Sequence, residues 1–250
     1  MSRLLSFSSS LLLCLLVCLL VVVSGLAMPQ AGSPGKAQAQ TGAGEVATPK
    51  RPPKPQAVQA MNRGQELLFR KNDPEGGVRE FKKALQIDPW YAQGYILLGV
   101  AYMQLQRWNN AQLAFEEAVK VEPGNAQAFL GLGSALNEQR EYAAAQKALE
   151  HSLDLKPNSA EAHYELARTL GALGKWQAAE PHARRAIEIN PDYPGSHVLL
   201  GNVYLDEQDI NAALKEFRTY LQMAPEGNLA PTVRQKISEI EAATGQPLKR

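Results

Sequence analysis

After position 57 the apolar residues fall into paired bursts, each at helical spacing. One pair is Tyr95, Leu98, Gly99, Tyr102 followed by Ala111, Phe115, Ala118. The next is Phe129, Leu132, Gly133, Leu136 and then Ala145, Leu149, Ser152. A third has His163, Leu166, Ala167, Leu170 and then Ala179, Ala183, Ala186, and a fourth has His197, Leu200, Gly201, Tyr204 and then Ala213, Phe217, Tyr220. Steps of three, one and three, then of four and three, place each burst on one face of a helix. The pairs are separated by Pro89, Pro123, Pro157, Pro191 and Pro225, which recur every 34 residues. Proline has no amide to donate and keeps its predecessor out of the helical region, so each one stops a helix. The pattern predicts two short helices and a tight turn per period.

Small residues recur in phase. Gly99, Gly133, Ala167 and Gly201 share one position, and Ala111, Ala145, Ala179 and Ala213 share another. Glycine within a helix costs about 0.5–1 kcal/mol relative to alanine, so its recurrence implies helices that cross too closely for a side chain. Trp108, Tyr142 and Trp176 repeat just before the second helix and are placed to seal the turn.

These residues resemble the tetratricopeptide repeat family, whose 34-residue pattern W-x2-L-G-x2-Y…A-x3-F…P is matched most fully at 92–125. The resemblance covers five units, 57–91, 92–125, 126–159, 160–193 and 194–227. The first is degenerate, with Gly77 in place of the usual alanine and one extra residue assigned to the turn Asn72-Asp73-Pro74-Glu75. It implies an all-α fold, an α–α superhelix of about five helical hairpins. Residues 228–250 are read as a capping helix and tail, with Val233, Ile237, Ile240 and Glu241 along Thr232 to Ala243. A solenoid needs such a polar-backed end.

The resemblance also implies a binding face. In this family the first helix of each hairpin lines the concave side, and the matching positions here are Met61, Ile96, Val100, Met103, Leu130, Ser134, Asn137, Tyr164, Arg168, Val198 and Asn202. That row is apolar at its N-terminal end and more polar toward the other. It would suit an amphipathic helix or an extended peptide with apolar anchors. The lysine and asparagine clamp of the chaperone-binding members is replaced by Ile96, Val100 and Leu130, so that activity does not carry over.

The N-terminus adds a different signal. Arg3 precedes an apolar run, Leu11 to Val23, and Gly25-Leu26-Ala27 offers small residues for cleavage, so residues 1–27 are expected to be a signal peptide or, if uncut, an anchor. Membrane contact is expected only in the uncut form. Cys14 and Cys18 are the two cysteines, so nothing after residue 18 can form a disulfide or a thiolate site. Residues 28–56, rich in proline and glycine, are expected to be a disordered linker. The expected location is therefore the periplasm or cell envelope, secreted or membrane-anchored.

Charge narrows the partners. The chain has 26 basic and 25 acidic residues, and the helical part carries the acidic excess. Nucleic acid, which needs a dense basic face, is not an expected partner. Catalytic, cofactor and metal sites are likewise not expected. His163 and His197 hold the repeat's aromatic position and read as packing residues, no His-Glu-x-x-His motif occurs, and Gly131-Leu132-Gly133 lies inside a helix where it cannot cradle a phosphate. The chain reads as an exported, non-enzymatic scaffold for a protein or peptide. The alternatives are an accessory subunit that positions substrate for an envelope enzyme and a self-associating structural repeat.

Overall fold

The computed structural model describes residues 51–244. The expected signal segment, most of the linker and the last six residues lie outside the described residues.

Ten helices form five hairpins: α1 (Pro55–Gln65) with α2 (Pro74–Ile87), α3 (Ala92–Gln104) with α4 (Trp108–Val121), α5 (Ala126–Glu138) with α6 (Tyr142–Leu155), α7 (Ala160–Ala172) with α8 (Trp176–Ile189), and α9 (Gly195–Asp206) with α10 (Ile210–Met223). A last helix, α11 (Ala230–Thr244), packs on α10. Each second helix is 14 residues long. The described residues thus form an all-α superhelical repeat with no strand among them, and the recurring prolines sit in the loops between hairpins. Helix starts are capped where the sequence allows. Asn125, Ser159, Asp73 and Asp209 each accept amide hydrogen bonds from the first turn that follows.

The hairpin turns show why the period holds. The middle turn residue is left-handed in every hairpin: Asn72, Gln106, Arg140, Gly174 and Gln208 have φ of 51, 56, 64, 72 and 62°. The amide just before the second helix closes the turn onto the carbonyl five residues back, as Arg107 does to Tyr102 at 2.9 Å and Lys175 to Leu170 at 2.8 Å. This satisfies carbonyls that the helix end would otherwise leave open. A non-glycine residue pays roughly 1–2 kcal/mol in this conformation. Arg140→Gly is therefore expected to stabilise the fold by about 0.5 kcal/mol, once glycine's greater unfolded entropy is subtracted. A urea melt with a lower midpoint would contradict this.

In the first hairpin the extra residue is not in the turn. Residues 71–73 are as short as the other turns, and the surplus is taken up by a π-helical turn, Glu66–Arg70, that continues α1. Asp73 N accordingly reaches back six residues to Leu67 O, at 2.8 Å, instead of five.

In four of the five hairpins a large residue of the second helix seats over a glycine of the first. A Cβ added at Gly99 would stand 2.7 Å from the Phe115 ring, and one at Gly201 would stand 2.5 Å from Phe217. At Gly64 the corresponding distance to Phe81 is 2.5 Å. The fourth hairpin has Ala167 at this position, and its partner has shrunk from Phe to Ala183, both fully buried. The pairs trade volume so that the axes stay close.

The two ends differ. Helix α11 buries Val233 and Ile237 and turns Arg234, Gln235, Ser238 and Glu239 to solvent. Its Glu241 is buried against Arg218 at 2.8 Å. At the other end the helical part extends ahead of the expected boundary at 57. Helix α1 starts at Pro55, and the residues ahead of it are tied to Asp88, which is 1% exposed. Asp88 pairs with Arg51 and accepts from Lys54 N at 3.0 Å, while Lys54 Nζ donates to Ile87 O at 2.9 Å.

Candidate functional site

The first helices stack side by side, α3 on α5, α5 on α7 and α7 on α9. This brings the expected groove residues into one row. It also closes most of them off, because neighbouring first helices interlock through these very positions. Met61, Ile96, Val100, Leu130, Tyr164 and Val198 all lie in the core clusters, Ile96 with no exposure at all. Ser134 and Asn137 are buried too. Met103, Arg168 and Asn202 remain partly exposed. The expected open apolar face is thus largely interior, and Tyr164 is spent on an edge-to-face contact with Tyr193 at 4.6 Å.

Between α3 and α5 lies a small, partly enclosed apolar depression, lined by the buried residues Ile96, Val100, Phe115, Leu130 and Gly131 and by the partly exposed polar side chains Gln127 and Glu161. Its floor depends on glycine. Gly131 has no side chain because the Phe115 ring lies directly against its Cα, so one aromatic joins the second hairpin to the third. Ser134, one turn further along α5, has a buried hydroxyl without a hydrogen-bond partner among the described residues.

Beyond it lies a polar network between α5 and α7. Arg168 donates through Nε to Glu165 at 2.9 Å and through Nη1 to Glu138 at 3.0 Å. Glu165 also accepts from Asn137 Nδ2 at 3.0 Å, and Asn137 Oδ1 lies 2.9 Å from the Thr169 hydroxyl. Burial alone would depress the Arg168 guanidinium, but Glu165, Tyr164 and Glu138 outweigh it and hold the proton more firmly than usual. The cluster carries two carboxylates for one guanidinium. Further on, Lys236 of α11 donates to Asn202 Oδ1 at 2.8 Å, so the last helix closes the row. Asn137 and Arg168 were visible in the sequence as row positions; Glu138, Glu165, Thr169 and Lys236 were not.

Profiles of the tetratricopeptide repeat match residues 96–160 and 138–194, and a second profile of that description matches 170–237. The chain carries tetratricopeptide repeats. Its repeats superpose on solved structures of the same kind. A MamA structure is 27% identical, covering 65% of this chain and 95% of that one with a TM-score of 0.58. YrrB, described as a TPR protein with an unusual peptide-binding site, is 22% identical over 72% of this chain and 92% of its own, TM-score 0.57. Pseudomonas aeruginosa pilF is 20% identical over 78% and 90%, TM-score 0.63. No curated protein sequence matches the chain.

The two histidines at the repeats' aromatic position do more than fill space. His197 Nδ1 lies 2.7 Å from Glu216 of the paired helix. His163 Nδ1 faces His182 Nδ1 at 2.9 Å, and its Nε2 lies 3.0 Å from Pro157 O. The carbonyl requires a proton on Nε2 of His163, so its Nδ1 accepts from His182. Burial lowers both imidazoles below the usual histidine range. Around them, the Pro157 carbonyl and Glu188 act upward and Arg185 downward on His163, while His163 acts downward and Glu150 upward on His182. An unfolded histidine titrates near pH ~6.5, so below that value the unfolded chain binds more protons than the folded one. Stability contributed by the neutral pair is present above pH ~6.5 and is lost as pH falls toward the lowered folded values. His182→Gln should flatten the pH dependence of the melting temperature over that window. An unchanged slope would contradict the role of the pair.

Proposed function

We propose that the chain is an exported, non-catalytic scaffold that holds a peptide or protein segment along the first helices of its repeats. The depression between α3 and α5 carries this reading. It is apolar on its floor and polar at its rim, the arrangement by which a groove takes one apolar anchor and orients the chain around it. Further along the row the Arg168 and Glu138 side chains are one-third exposed and add polar contacts for a bound chain. YrrB gives this reading a structural parallel in a peptide-binding repeat protein. Export is supported by Arg3, the run Leu11 to Val23, the small residues Gly25 and Ala27, and the lack of cysteine after residue 18.

Substitutions at the rim test this without disturbing the core. Gln127→Arg, Glu161→Arg and the double variant alter the partly exposed polar side chains of the rim. Each is expected to leave the melting temperature in place and to weaken recovery of co-purifying partners by about tenfold or more, the scale of a lost 1.4 kcal/mol contact. If all three variants retain every partner at full yield, the row is not the binding face.

A further inference from the structure

We propose that the end of the solenoid where the chain enters, with Trp90 at its apex, lies against an anionic lipid bilayer. Trp90 is 68% exposed, the most exposed large hydrophobic side chain among the described residues. It stands in the loop between α2 and α3, and its backbone amide donates to Asp88 at 3.3 Å. The same carboxylate holds Arg51 and the Lys54 amide, and Lys54 Nζ rests on the carbonyl of Ile87. The ties to Asp88 and Ile87 thus hold Lys54 and the Asp88-paired Arg51 at the loop that carries the exposed indole. An indole flanked by long cationic side chains suits the headgroup layer, where the ring meets the acyl boundary and the charges stay in the polar zone.

Charge distribution sets the orientation. Residues 51–90 hold eight basic side chains and five acidic ones, whereas 91–250 hold fifteen and nineteen. An anionic surface therefore attracts this end and repels the rest of the solenoid. In the uncut form, an apolar run separated from Arg51 by 27 residues would hold this end of the repeats, and not the other, near a membrane. The inference does not use the depression between α3 and α5, so either reading can fail alone.

The test follows the emission of Trp90 in the full chain, taken as the difference between the parent protein and Trp90→Phe. Vesicles of phosphatidylglycerol and of phosphatidylcholine, each with bromine-labelled acyl chains, serve as the surfaces. In phosphatidylglycerol the Trp90 emission should shift to shorter wavelength and be quenched at least about twofold more than in phosphatidylcholine. Lys54→Gln should lower the ratio of docked to undocked protein by about fivefold, the worth of one cation near such a surface. Salt at about 0.5 M should reverse the docking by screening. Equal quenching in the two lipids would overturn the role of the cations. Unshifted, unquenched emission, whether the chain is bound to vesicles or free, would overturn the proposal and leave Trp90 to a protein partner.

Discussion

Phe115→Ala is expected to destabilise the fold by about 3–5 kcal/mol, the range for truncating a buried aromatic without collapse of the space. Phe115 is 2% exposed and seats against Gly99 of its own hairpin and Gly131 of the next. Two backbones were brought close to receive that ring, and neither glycine has a side chain with which to fill the void. The loss falls on the joint between the second and third repeats. Stability in a solenoid is a sum of unit and neighbour terms, so the urea transition should also split as the two parts melt separately. A single transition shifted by less than about 1 kcal/mol would mean that the helices close up and that the ring is not the joint.

The opposite change should fail for the opposite reason. Gly133→Leu places a branched side chain where a bare Cβ would already lie 2.5 Å from Leu149 Cγ and 2.8 Å from its Cδ2. Overpacking of this kind costs about 1–3 kcal/mol. Leu149 is fully buried on α6. The denaturation midpoint is the readout, and a variant that melts with the parent protein would show that α5 and α6 can separate cheaply.

The sequence carried the architecture because each element of it is local. A proline every 34 residues marks a loop, and helical spacing on either side marks a face; neither depends on distant contacts. The in-phase pairs Gly99 with Phe115, Gly133 with Leu149 and Gly201 with Phe217 could have been read as volume partners, and the pairing of Ala167 with Ala183 follows the same rule. The row of first-helix residues was legible as a row but not as a surface. Ile96, Leu130 and Tyr164 occupy positions that face a ligand in the family, yet how far each side chain protrudes depends on the separation of successive hairpins, which no single repeat encodes. The π turn at Glu66–Arg70 escaped for a related reason. An extra residue is visible in the count, but only packing decides whether a loop or a helix absorbs it. The contact between His163 and His182 joins residues 19 apart on two helices, and each alone looked like ordinary filler.

The matching of volumes across the two helices of a hairpin underlies all of this, and a double-mutant cycle on Gly133 and Leu149 tests it most directly. Gly133→Ala alone should lower stability, because its methyl group meets the Leu149 side chain. In a Leu149→Ala background, which removes that side chain, the same substitution should cost nothing, or stabilise slightly through alanine's better helix propensity. Two penalties that simply add would contradict the account.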